Sequence, residues 1–385
     1  MANLKDVVAP LRTLDPGDQD WSDLEQIRNL VGDAKVVGVG EAAHGVGEFH
    51  DLRHRLLRYF VTELGFTAYC TEFPFDEGLA INAWIHGGSG NVGDVTTLGR
   101  HAPFGEGTEA RALLQWMRDW NAKNGNRLSF YGLDVGSPET AARKCLARIP
   151  GKPGDAELME SLNLGVGFAA MGKLMMMPEA DRARLIGGLA SLLERAKAAG
   201  EEIAVRCAMQ ALASVPGGVP SNNAREEYMA DNVSWVLKRE RRIMIGGHNG
   251  HIRKASPELP SLGQLLRAQL PEPPVAIGTT YGAGPIWDLV DRSAPPPQWA
   301  VTVRELNPPA HTLDAVMSQV GLPLFYVDVD RVPNDALAKA TDMMVFHFPM
   351  PCNVRQAFDG LVHVHNVRSM DDSTAMAMKT FGSPS

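Results

Sequence analysis

Residues 36 to 45 read Val-Val-Gly-Val-Gly-Glu-Ala-Ala-His-Gly, and this stretch limits what the chain can become. A short valine-rich run bounded by glycine reads as a buried strand. It stops at Gly40, and Glu41 and His44 follow at once. Open α/β sheets gather their ligands at the carboxyl ends of such strands. Residues 66 to 72 end in Glu72, residues 128 to 134 end in Asp134, and residues 243 to 251 run through glycines into His248 and His251. Four apolar runs that each deliver a titratable group at the same end point to one shared pocket.

Each piece also has a plainer role. An acid after a strand is as often a helix N-cap, and Asp134 fits that description. Glu41 and His44 sit at a spacing that lets them simply satisfy each other on one helical turn. His248 and His251 resemble half a metal site. It is the conjunction that favours acid-base chemistry.

Between the first two runs, residues 47 to 64 carry apolar residues at helical spacing. The resulting β-α-β unit predicts an α/β fold with parallel pairing. Arg53 lies one turn from Phe49 and Leu57, which directs its charge along a partly buried face. Residues 21 to 31 predict a helix capped by Ser22 or Asp23. Helices at 78 to 86 and 109 to 123 flank a glycine-rich loop, 87 to 107. Loops of that length inside a domain are often functional. His86, Arg100, His101 and Glu106 lie in or beside it, and His101 is the candidate for substrate contact.

Residues 138 to 240 read almost wholly helical, punctuated by prolines. A helical block between two strands of one sheet is a large insertion. The expected organisation is therefore an α/β core of 1–137 and 241–385, with 138–240 as a helical cap over the strand ends. Arg225, Met229, Val233 and Leu237 share one face of the last helix, which turns Arg225 inward. Met171, Met175, Met176 and Met177 fit core packing better than a ligand box. Further strands are expected at 274 to 281, 299 to 304, 323 to 328 and 341 to 347, with helices at 261 to 269 and 311 to 320.

Composition narrows the function. A formal net charge of −8 leaves no basic excess to neutralise phosphates, so nucleic acid is not an expected partner. No apolar run reaches the length of a membrane span, and the first 30 residues lack a signal-peptide core. A cytoplasmic protein with reduced, buried cysteines is expected, since Cys70, Cys145, Cys207 and Cys352 are widely scattered. No Gly-x-Ser-x-Gly elbow is present, which argues against a serine nucleophile.

Gly40-Glu41-Ala42-Ala43-His44-Gly45 with Glu48-Phe49 and Arg53-His54-Arg55-Leu56 resembles the opening signature of the erythromycin esterase family. The resemblance continues through Gly65-Phe66 to Glu72, Tyr131-Gly132-Leu133-Asp134, Arg225 to Asn232, and His248-Asn249-Gly250-His251-Ile252. It implies a mixed sheet flanked by helices, a helical subdomain over the cleft, and a hydrolase with little or no metal dependence that opens macrolide lactones by water attack. Glu41 and His44 fall on the family's catalytic positions. Arg53, Glu72, His248 and His251 fall on its other active-site positions, and Arg225 on its helical motif.

The residues themselves support that chemistry. A histidine of ordinary pKa near 6.5 suits a general base at neutral pH, here His44. Glu41 or Glu72 would orient it, and Arg53 with His248 or His251 would stabilise an oxyanion. The expected partner is a small-molecule ester, lactone or polyketide-like compound, with no cofactor. His44, His248, His251 and Glu72 also carry the donors for a divalent metal. Cyclisation, dehydration or acyl transfer in the same pocket, or metal or haem binding on a related fold, remain open on sequence alone.

Overall fold

A computed structural model describes residues 4–96, 107–125, 127–165, 167–291 and 299–370. Eleven strands are described: β1 (Val8–Pro10), β2 (Val36–Glu41), β3 (Ala68–Pro74), β4 (Ser129–Asp134), β5 (Ile243–His248), β6 (Val275–Asp291), β7 (Trp299–Leu306), β8 (Leu324–Asp328), β9 (Asp342–Val345), β10 (Phe348–Pro351) and β11 (Gly360–Asn366). Nine of them build one sheet in the order β1-β8-β11-β6-β2-β5-β3-β4, with β7 paired to the outer part of β6. β11, β6, β2, β5, β3 and β4 pair in parallel. β8 runs antiparallel to β11, and β1 antiparallel to β8. The fold is thus α/β with a mixed, largely parallel sheet. β9 and β10 form a separate hairpin.

The helices are α1 (Glu25–Val31), α2 (Gly47–Glu63), α3 (Phe75–Ile85), α4 (Val92–Thr96), α5 (Thr108–Asn124), α6 (Pro138–Leu146), α7 (Asp155–Ser161), α8 (Gly167–Met175), α9 (Glu179–Ala199), α10 (Glu202–Ala213), α11 (Ala224–Val236), α12 (Asn249–Ile252), α13 (Leu262–Gln269), α14 (Leu313–Ser318), α15 (Asn334–Leu337) and α16 (Val354–Ala357). β2 and β5 are buried along their whole length, as strands covered on both faces must be. One face packs on residues of α1, α2 and α5, such as Ile27, Phe49, Leu56 and Met117. The other packs on residues of α6, α9, α10 and α11, such as Cys145, Leu189, Cys207 and Val233.

Several expectations need correction. β2 and β3 are parallel but not neighbours, because β5 inserts between them. β11 is an internal strand that the sequence reading omitted, since His363 and His365 break its apolar run. Within the helical block 138 to 240, α7 and α8 are short and separate rather than one continuous helix. Neither Ser22 nor Asp23 caps α1. The Asp23 carboxylate instead accepts two bonds from the buried Arg55 guanidinium, at 2.7 and 2.9 Å. Met175 and Met176 are about two-thirds exposed, because α8 ends at Met175 and Pro178 forbids its extension. Met177 packs against the core. All four cysteines are free and buried.

Candidate active site

Glu41 is the last residue of β2, and its carboxyl is buried. Its Oε1 lies 2.5 Å from His44 Nδ1, and its Oε2 accepts from the Arg53 guanidinium on α2. Burial opposes ionisation of Glu41, but Arg53 and the bond to His44 outweigh it and hold the carboxyl well below the usual range. An ionised carboxylate can only accept, so the proton of this bond sits on His44 Nδ1, and Nε2 is left as the basic nitrogen. Gly45, at φ 67°, then turns the chain into α2, a conformation glycine adopts without strain. His50, one turn before Arg53, places Nε2 3.2 Å from Arg53 Nη2. Burial, reinforced by Arg53, pushes His50 down to about 3 and keeps it neutral.

Glu72 sits where the register between β3 and β4 shifts, between Thr71 and Pro74. Such an irregularity re-aims a side chain. Glu72 Oε1 accepts from the His248 backbone N–H at 2.7 Å and lies 3.4 Å from His251 Nε2. The other ring nitrogen of His251, Nδ1, lies 2.5 Å from Glu226 Oε1 on α11. Burial disfavours a charged His251, but Glu72 and Glu226 outweigh it and raise its pKa above the ordinary histidine value.

His248 plays a different part. Its Nε2 lies 3.2 Å from the Ala42 carbonyl, and its Nδ1 accepts from the Gly250 N–H at 3.0 Å. Burial, with His44 and His251 adding to it, pushes it down to about 3. Both ring nitrogens are thus spent on backbone, and the neutral ring stacks 5.0 Å from Phe346 and meets His44 edge-on at 5.3 Å. The two histidines that the sequence left interchangeable are therefore distinct: flanking carboxylates favour the charged form of His251, and His248 is held neutral.

Asn249 fixes where these groups stand. β2 pairs with β6 only through Val39, and beyond that point the Asn249 amide donates to Thr279 O at 2.7 Å and accepts from Thr279 N at 3.1 Å. A side chain here takes the place of a strand backbone. It fits only because residue 40 is glycine: a Cβ there would lie 2.0 Å from Asn249 Oδ1.

Asp134 and Arg225 form a two-bond pair at 2.8 and 2.5 Å. Asp134 does not cap α6, whose N-cap is Ser137. Burial resists charge on both partners, yet each holds the other ionised. Arg225 points to the end of β4 with its side chain about half exposed, not into the core as its helical phase suggested. His101, like Arg100 and Glu106, lies outside the described residues. His86 ends α3 and bonds the Asn82 carbonyl at 2.8 Å.

The sequence missed three residues at this centre: His50, Glu226 and Phe346. His50 was signalled by its spacing from Arg53, and Glu226 by its place beside Arg225. Phe346 had no signal, for it reaches the site only through the turn of the β9–β10 hairpin. It holds φ 55°, rare for an aromatic residue. Its N–H donates to Ala42 O at 2.9 Å, its carbonyl accepts from Tyr281 Oη at 2.8 Å, and its ring stands 4.9 Å from His44.

Glu41, His44, His50, Arg53 and Glu72 line one cleft, whose empty space including its open mouth is about 660 Å³. Among the described residues no group of three or more His, Cys, Asp or Glu side chains converges as a metal ligand set. None of the described helices is long and apolar enough to cross a membrane.

The erythromycin esterase family model matches residues 61–367, most of the chain. The chain belongs to the erythromycin esterase family. Membership makes it an enzyme that hydrolyses ester bonds. It is similar to erythromycin esterase type II of Escherichia coli, at 27% identity over 94% of this chain and 96% of that protein. It also resembles the putative hydrolase YbfO of Bacillus subtilis (strain 168), at 21% identity over 83% of this chain and 80% of that one. The fold of an erythromycin esterase mutant in its open conformation matches with a TM-score of 0.76 at 21% identity, over 94% of this chain and 98% of that one. A succinoglycan biosynthesis protein shares the fold to the same TM-score of 0.76, at 21% identity over 95% of this chain and 96% of that one.

Proposed function

We propose that the chain opens an ester or lactone of a bulky, macrolide-like natural product by direct attack of a water that His44 activates. The observation that carries this reading is the 2.5 Å contact between Glu41 Oε1 and His44 Nδ1 inside a shared cleft with Arg53 and Glu72. His44 Nε2 takes a proton from water as its oxygen attacks the carbonyl carbon. The tetrahedral oxyanion is met by the Arg53 guanidinium, while His251, held between Glu226 and Glu72, steadies the Glu72 carboxylate at the cleft. The carbon–oxygen bond of the ester then breaks, and the leaving alkoxide takes the proton back from His44. The described lining of the cleft includes no serine or cysteine, which favours water as the nucleophile.

His248 acts here by holding the Ala42 carbonyl, and with it the loop that carries His44. Arg225 and Asp134 serve as a substrate-contacting rim. Residues 138–240 act as a cap, since α11 delivers Arg225 and Glu226 to the strand ends. The similarity to erythromycin esterase type II supports a macrolide-like substrate.

The test is mass spectrometry of candidate macrolides and other lactones after incubation with the enzyme. Hydrolysis adds the mass of one water, whereas loss of water or a mass-neutral product refutes the reading. His44→Ala should lower kcat by about 10² to 10⁴ with an unchanged melting temperature. Undiminished turnover in that variant removes His44 from the mechanism.

A further inference from the structure

The cleft has two unlike walls. Glu41, His44, His50 and Arg53 form the polar one. Opposite them, among the described residues, α3, α5 and β4 contribute only apolar side chains: Ile81, Ala110, Leu113, Leu114 and Phe130. Ala110, Leu113 and Leu114 are one turn apart, so a single face of α5 looks into the space. The side chains of Ile81, Leu113, Leu114 and Phe130 are themselves at most 5% exposed, so this is a chamber within the fold rather than an exposed patch. At its polar end the Arg53 Nε is buried and has no hydrogen-bond partner among the described residues. The Arg53 guanidinium lines this end of the cleft and supplies the positive charge that receives a carbonyl oxygen.

We propose that this chamber is the acyl subsite: it takes a short, unbranched aliphatic arm attached to the carbonyl carbon under attack. The carbonyl oxygen is received at Arg53, and the arm extends along Ile81, Leu113 and Phe130. Among the described residues no charged group lines the apolar wall, so the site selects alkanoyl chains over acyl groups that carry charge. This assignment deepens the ester-hydrolase reading and rests on it.

The experiment compares kcat/KM of the full chain on p-nitrophenyl acetate, butanoate, hexanoate and octanoate. Selectivity should rise from acetate to hexanoate by about fourfold per methylene, the equivalent of about 0.8 kcal/mol each. Ala110→Phe, which fills the chamber, should flatten that rise, with the largest loss of kcat/KM on hexanoate. Leu114→Ala, which enlarges it, should move the optimum to longer chains. Folded variants that both keep the wild-type profile overturn the proposal. Calorimetric titration with hexanoate separates this claim from the one beneath it. Binding to the wild type and to His44→Ala, but not to Ala110→Phe, supports the subsite even where no ester is turned over. In that case the hydrolytic reading alone has failed. No binding to the wild type, or equal binding to Ala110→Phe, overturns the subsite.

Discussion

Glu226→Gln isolates the charge on His251. Two carboxyls flank this imidazole, Glu226 at 2.5 Å from Nδ1 and Glu72 at 3.4 Å from Nε2, and together they lift its pKa against the cost of burial. One opposite charge this close is worth about 1 to 3 pKa units. Glutamine keeps the shape and an amide oxygen for the Leu262 N–H, which Glu226 Oε2 accepts at 2.7 Å, so the backbone link to α13 survives. Removing the charge should lower the His251 pKa and weaken its preference for the imidazolium. The sign follows from linkage: a histidine with a raised folded pKa stabilises the fold fully below its unfolded value and loses that contribution as pH rises through the folded pKa. The variant should therefore lose stability over the wild type most below that range and converge with it at alkaline pH. If the charge on His251 steadies Glu72 at the cleft, the alkaline limb of the pH–kcat profile should move to lower pH, with KM little changed. Imidazole proton titration by NMR, together with the rate profile, checks both. A His251 midpoint and an alkaline limb that stay in place refute the argument.

Gly40→Ala places a Cβ 2.0 Å from Asn249 Oδ1, so the Asn249 bridge to Thr279 must break, which should cost about 2 to 4 kcal/mol in chemical denaturation. Phe346→Gly relieves about 1 kcal/mol of backbone strain but removes a packed ring beside His44 and His248, so kcat should fall at least tenfold and the fold should lose about 1 to 3 kcal/mol net. Glu77 is buried, its oxygens have no hydrogen-bond partner among the described residues, and burial with the help of Asp76 raises its pKa to about 8. A carboxyl raised in this way costs the fold stability as pH rises from about 4.5 to 8, so Glu77→Gln should become progressively more stable than wild type across that window, by up to a few kcal/mol in denaturant titrations at pH 5 and 8.

Much of this was legible because the decisive signals are local. The run from Val36 to Glu41 is buried on both faces, and that shows as unbroken apolar sequence ending in a single carboxylate. Glu72 and His248 were legible for the same reason. What stayed hidden depends on distant pairing. β11 was missed because His363 is fully buried, with Nδ1 2.9 Å from the Thr280 hydroxyl, and a buried polar residue looks like a strand's end when its partner is unknown. The separate characters of His248 and His251 are set by Ala42, Gly250, Glu72 and Glu226, which no spacing in the sequence brings together. Arg225 was phased correctly on α11 but assigned to the wrong depth, because Asp134 draws it to the rim.

Residues 367 to 370 lie against the turn that follows His44: Gly47 N–H donates to Arg368 O at 3.1 Å, Met370 N–H donates to Gly45 O at 2.8 Å, and Val46 bridges Ser369. The Arg368 guanidinium spans Asp51 and Glu109 at 2.9 and 2.5 Å. During synthesis, then, the ribosome emits Glu41 and His44 hundreds of residues before the segment that clasps their turn. A nascent chain that has not yet released residue 370 carries the reactive pair without its fastening, so catalysis should begin only once that segment has emerged.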